Sequence, residues 1–174
     1  IVKKLDPREY EIHSIAAPER YELRRPYLWR FWNKLNDGGK ITIFDRTWYG
    51  RVLVERIEGF ASVVEWQRAY NEINRFEENL VDSQTVIVKI WLAISKDEQE
   101  IRFKDREQTP HKRFKITEED WRNRDKWDDY LNAAADMFER TNTDYAPWYV
   151  ISTDDKNTAR IEVLKAILKQ LKAG

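Results

Sequence analysis

The chain contains no cysteine, which excludes disulfide cross-links and thiolate metal sites. Its two histidines, His13 and His111, are too few for a histidine-built metal centre. An excess of one charge is also lacking: 31 Lys plus Arg face 31 Asp plus Glu, for a net charge of zero. A general nucleic-acid binder carries a clear positive excess, so that class is disfavoured, although a local cationic groove is compatible with the balance. No apolar run approaches the roughly 18 residues of a membrane span, and no signal peptide opens the chain. A cytoplasmic protein with no membrane partner is the expectation. Glycine is scarce, 5 in 174 residues, and no G-x-x-x-x-G-K phosphate loop occurs. There is no internal repeat and no low-complexity stretch.

What is present is enough apolar sequence for a core (41%), a large charged fraction (36%) and 8 Trp. The length fits one domain. Residues 10–17 read as a strand closed by Pro18. Residues 20–35 read as a helix with Leu23, Tyr27, Leu28, Phe31 and Leu35 at helical spacing, and Pro26 either kinks it or restarts it. A turn at 37–39 leads into a strand at 41–44. A short helix at 50–57 ends at Gly59. A helix capped by Ser62 runs to about Asn79, with Val63, Trp66, Tyr70, Ile73 and Phe76 on one face. Residues 85–92 form the most hydrophobic strand, and its near-continuous apolar character predicts burial on both faces. A fourth strand spans 148–151. A closing helix at 155–171 carries Ile161, Leu164, Ile167, Leu168 and Leu171 as its stripe. Strands separated by helices predict an α/β class with a parallel sheet flanked by helices. The charged segment 95–130 departs from that alternation and predicts a helical hairpin that serves as a lid.

The chemistry concentrates after the second strand. Ile41-Thr42-Ile43-Phe44 runs into Asp45-Arg46, which puts a carboxylate at the carboxyl edge of a parallel sheet, where such sheets bind ligands. A carboxylate at the end of a buried strand is costly unless it is used. In P-loop phosphotransferases an Asp there holds Mg²⁺, and an adjacent Arg can clamp phosphate. The plainer reading is an Asp in an ordinary turn. Arg51 and Arg56 follow closely, either as phosphate ligands or as a solvated helix face. In the lid, Arg102 and Arg106 share a helix face. They either grip a polyanion or belong to an ion-pair network with Glu98, Asp105 and Glu107.

The run Phe44-Asp45-Arg46-Thr47-Trp48-Tyr49-Gly50-Arg51-Val52-Leu53-Val54-Glu55-Arg56 closely resembles the family-2 polyphosphate kinases, with Thr47 where members usually have Ser. Within them it looks most like the second domain of the tandem-domain polyphosphate:AMP phosphotransferases. Thr109–Thr117, with its Pro, Lys-Arg pair and aromatic, resembles the family's lid loop. Asp120–Tyr130 resembles its Arg-rich turn ending in Trp-Asp-Asp-Tyr. Ala146-Pro147-Trp148 and Asp155-Lys156-Asn157-Thr158-Ala159-Arg160 match its last strand and the helix start after it.

The resemblance implies a P-loop kinase fold and a Mg²⁺-dependent kinase that moves a phosphoryl group between polyphosphate and a nucleotide, AMP to ADP by preference and ADP to ATP as a further possibility. It implies Asp45 and Arg46 as catalytic groups and Asp45 and Asp128 as metal ligands. Arg51, Arg56 and Arg122 would contact phosphate or nucleotide. Arg102, Arg106, Lys112 and Arg113 would contact polyphosphate. Asp155 and Lys156 would lie near the base, unless Asp154 or Asp155 is a helix cap. Residues 1–174 would form a single domain that lacks the family's first strand and Walker A loop, leaving a slot in the sheet. They would be inactive alone and belong to a homo-oligomer or a longer tandem chain. Two other classes stay open: an ATP-dependent nucleoside monophosphate kinase, and a non-catalytic binding or assembly module.

Overall fold

The computed structural model describes residues 1–36 and 38–173, without the side chains of Lys112, Arg113, Lys115, Glu118, Glu119 and Ala173. In chain order the elements are β1 (Tyr10–Ser14), α1 (Trp29–Trp32), β2 (Ile41–Asp45), α2 (Val54–Ile57), α3 (Val63–Asp82), β3 (Lys89–Ala93), α4 (Lys96–Gln108), α5 (Glu118–Asp125), α6 (Trp127–Thr141), β4 (Trp148–Ser152) and α7 (Lys156–Ala173). Short 3₁₀ turns punctuate them, the longest at Trp48–Val52 and Pro110–Lys115. None of the described helices is long and apolar enough to cross a membrane. The class is α/β, as expected. The described strands form two parallel pairs, β1–β2 and β3–β4.

The chain divides within α3 into two compact units, Ile1–Phe76 and Glu77–Gly174. In the first, β1 and β2 run in parallel register from Tyr10↔Ile41 to Ser14↔Asp45. A parallel pair needs a crossover, and the intervening chain supplies it. That crossover is not the single helix expected at 20–35. It breaks into a 3₁₀ turn at Glu22–Arg24 and the single-turn α1, and Pro26 lies between them, where it removes a backbone donor. An aromatic cluster forms the core. Phe31 meets Trp48 at 5.7 Å, Phe44 meets Trp48 at 5.5 Å, and Trp48 meets Phe76 of α3 at 4.8 Å, all edge-on. Most of the Trp-rich composition in this unit is thus packing. Glu22 is buried beside Arg30 (3.4 Å) and Lys34 (3.3 Å) and accepts the Glu19 N–H at 2.8 Å. Burial pushes its carboxyl up, but these partners outweigh that and hold it below the usual range. Helix α3 starts with the predicted cap: Ser62 Oγ accepts from the Glu65 N–H, and Glu65 accepts from the Ser62 N–H at 2.8 Å.

In the second unit, β3 and β4 pair from Lys89↔Trp148 to Ala93↔Ser152. The strand expected at 85–92 begins only at Lys89, and its residues are mostly half-buried instead of buried on both faces; Leu92 is 57% exposed. Lys89 itself is buried. Its Nζ donates to Glu77 Oε2 at 2.8 Å and to the Thr141 carbonyl at 2.7 Å. Phe138 of α6 packs edge-on against Trp91 and Trp148. Helix α7 lies on the sheet through Ala159, Ala166 and Val163, against Ile151, Ile90 and Tyr149. Its large apolar stripe is not the packing face: Ile161, Leu164, Leu168 and Leu171 are each about half exposed. The small alanines let the helix axis approach the strands, and the bulkier side chains are left on the far side.

Candidate active site

In the first unit, β2 delivers Asp45 to the carboxyl end of its strand pair. The Asp45 carbonyl accepts the Ile15 N–H at 2.9 Å, which fixes the backbone there. The side chain is exposed, not buried, so the desolvation argument for its use does not hold. Its significance rests on position. Arg46, also exposed, takes φ = 64°, a left-handed conformation that non-glycine residues seldom adopt. Strain of this kind clusters at functional sites. Among the described residues neither side chain has a hydrogen bond or ion pair. Thr47 then caps the Trp48–Val52 turn, its hydroxyl accepting the Tyr49 N–H at 3.3 Å. That role needs a hydroxyl, which serine and threonine both supply.

Arg51 and Arg56 sit differently. Arg51 lies 4.5 Å over the Tyr27 ring and pairs with Glu55 at 3.1 Å and Glu65 at 3.8 Å. Burial pushes the Glu55 carboxyl above its usual range, and Arg51 pulls it partly back. Burial likewise pushes the Tyr27 hydroxyl up. Arg56 stacks 4.2 Å over Trp66 and donates to the Tyr70 hydroxyl at 3.2 Å. Both guanidiniums therefore have protein partners in this first unit.

In the second unit the charged segment is helical, as expected, and α5 folds back along α4. Trp121 packs edge-on on Phe103 at 5.1 Å and donates to Glu107 at 3.2 Å. Arg124 donates to the Lys96 carbonyl and to Glu100, each at 2.6 Å. A capping box of Thr117 and Asp120 starts α5. Arg102 is engaged by Glu98 and by the Thr153 and Asp154 carbonyls. Arg106 lies 6.0 Å over Phe103. Arg122 is exposed on α5. The side chains of Lys112 and Arg113 lie outside the described residues. Asp128 is exposed in the first turn of α6, where a helix N-terminus favours an acid. Asp155 caps α7, accepting the Thr158 N–H at 2.7 Å. The i,i+4 spacing of Glu98 and Arg102 is legible in sequence; the carbonyls roughly fifty residues later that complete the contact are not.

No group of three or more His, Asp or Glu that could hold a metal occurs among the described residues. Mg²⁺ does not require one. It binds through one or two carboxylates, with waters and substrate phosphates completing its shell. A single exposed carboxylate at a strand end, beside a cation for phosphate, fits that donor set.

The sequence profile of Polyphosphate kinase 2 (PPK2) matches residues 1–174. The chain belongs to the polyphosphate kinase 2 family. It is 81% identical over 173 residues to the polyphosphate:AMP phosphotransferase of Acinetobacter johnsonii, covering 99% of this chain and 36% of that protein. The protein of the same name in Pseudomonas aeruginosa is 56% identical over 174 residues, covering 100% of this chain and 35% of that one. The crystal structure of a putative polyphosphate kinase 2 from Pseudomonas aeruginosa superposes with a TM-score of 0.96 at 56% identity, over 99% of this chain and 37% of that one. The chain thus spans little more than a third of the length of these family members.

Proposed function

We propose that the protein transfers a phosphoryl group from inorganic polyphosphate to AMP. The carrying observation is an exposed Asp45-Arg46 pair, with Arg46 held at φ = 64°, at the carboxyl end of a parallel strand pair in a chain of this family. An oxygen of the AMP phosphate attacks the terminal phosphorus of polyphosphate. The bond to the penultimate phosphate breaks, and the shortened chain leaves with the bonding electrons. No covalent protein intermediate is needed, so the work is positioning and charge neutralisation. Bound Mg²⁺ would supply charge neutralisation at the phosphates, and Asp45 would hold it, with Asp128 as a second candidate ligand. Arg46 clamps a phosphate; Arg56, Arg51 and Arg122 are further phosphate or nucleotide contacts. Arg106, Lys112 and Arg113 grip the polyanion, which makes donor binding salt-sensitive. The reading places the chain in a cytoplasmic protein of tandem-domain or oligomeric organisation.

The test is to incubate the complete gene product with AMP, Mg²⁺ and either polyphosphate or ATP, and to follow ADP by chromatography. ADP formed from polyphosphate, abolished by chelation, supports the proposal. ADP formed with ATP alone points to a nucleoside monophosphate kinase. No product with either donor favours a binding module.

A further inference from the structure

Arg102 has the geometry of an internal brace. Its side chain is 16% exposed. Nε donates to Glu98 Oε1 at 2.8 Å, one turn earlier on α4, and Nη2 donates to two backbone carbonyls, Thr153 at 2.5 Å and Asp154 at 3.0 Å. Those carbonyls belong to the loop that leaves β4. The same loop is tied to the end of β3 by three more bonds. Asp154 Oδ1 accepts the Ser95 N–H at 2.9 Å, and Ala93 O accepts from the Thr153 N–H at 2.7 Å and from its hydroxyl at 2.8 Å. Ser95 is at once the cap of α4, accepting the Glu98 N–H at 3.2 Å. Two parallel strands thus end side by side, Ala93 opposite Ser152, and the guanidinium ties the β4 exit to the helix that follows β3. The carboxyl ends of parallel strands are where such sheets bind ligands.

We propose that Arg102 is a positioning residue. It fixes the loop 153–155 and the first turn of α4 as one rigid ligand edge of the second unit, and it does not contact polyphosphate. A Lys cannot substitute, because the contact uses the planar fork: one arm to a carboxylate, another to two carbonyls. The proposal rests on the phosphotransferase reading, with the nucleotide approaching this strand-end edge and polyphosphate held by the cations further along the lid.

The experiment compares the complete gene product with its Arg102→Ala, Arg102→Lys and Arg106→Ala variants. Arg102→Ala and Arg102→Lys are each expected to lower kcat/KM for AMP on the order of 10- to 100-fold, with the polyphosphate KM and its salt dependence unchanged. Arg106→Ala is expected to raise the polyphosphate KM. A raised polyphosphate KM in the Arg102 variants at unaltered AMP kinetics, or full rescue by Lys, overturns the proposal. Hydrogen exchange on the same proteins reads the brace without activity. Amides of 95–99 and 153–158 should exchange faster in both Arg102 variants, with β3 and β4 still protected. Unchanged protection of those segments overturns the brace. If Arg102→Ala loses protection throughout, Arg102→Lys, which keeps the charge and the aliphatic stem, carries the comparison. A wild-type protein without transferase activity would refute the proposed function, and hydrogen exchange would still judge the brace.

Discussion

The two units end their parallel strand pairs in opposite ways. At the end of β1–β2, Asp45 and Arg46 stand exposed, and Arg46 is held in a left-handed conformation. At the end of β3–β4, the charged groups are engaged internally: Arg102 binds two carbonyls, Asp154 binds the Ser95 N–H, and Asp155 caps α7. The first edge presents charge and the second organises backbone. In the proposed phosphoryl transfer, a loose, highly charged transition state is stabilised by groups already aimed before the reaction begins. The contrast also shows why an inventory of Arg and Lys overstates the number of phosphate contacts. Arg102 and Arg124 are held by protein groups.

The comparison can be broken most severely at Lys89. Removing one member of a buried ion pair costs about 3–5 kcal/mol. Lys89→Met should destabilise the protein by that order in chemical denaturation, and the double change Lys89→Met with Glu77→Leu should recover most of it. A single-variant cost well below about 1 kcal/mol would show that the pair does not organise the second unit. A smaller effect sharpens the first unit. Arg46→Gly removes a left-handed penalty of about 1–2 kcal/mol but frees the unfolded chain, so stability should stay level or rise slightly. Arg46→Val should be clearly less stable than Arg46→Gly, since a β-branched residue resists that conformation. Equal stability of the two would mean the backbone is not strained there.

The smallest effect concerns Glu55. Its carboxyl is raised above 4.5 in the folded protein, chiefly by burial. The folded state therefore favours the protonated form. That contribution is full below pH 4.5 and is lost as pH rises through the folded pKa. Glu55→Gln, which mimics the protonated form, should match wild type at low pH and gain on it as pH rises. A gap that widens on acidification would reverse the assignment.

Much of this was legible in the sequence, for identifiable reasons. Ile41–Asp45 declared itself by four strand formers ending in an acid, and the start of α3 by Ser62 ahead of a helical run. The α/β class followed from alternation. What stayed hidden depends on contacts distant in sequence or on choice of face. The stripe of α7 has helical spacing, but spacing does not say that Ala159 and Ala166 take the buried side. Lys89 lies in a run read as a buried strand, and nothing in that run names Glu77 and Thr141 as its partners. The φ of Arg46 has no sequence signal beyond its place after a strand-ending acid. Pro26 was ambiguous between kink and restart, and the restart wins because the turn before it is already 3₁₀.

The central claim is that Asp45 acts on substrate and does little for the fold. Asp45→Asn in the complete gene product, assayed for ADP formation from AMP and polyphosphate beside its thermal unfolding, tests it most directly. The account predicts unfolding indistinguishable from wild type and turnover reduced by about 10²–10³ or more, the loss expected for a positioned electrostatic group. Near-normal turnover would contradict it, and so would a large loss of stability accompanying the loss of activity.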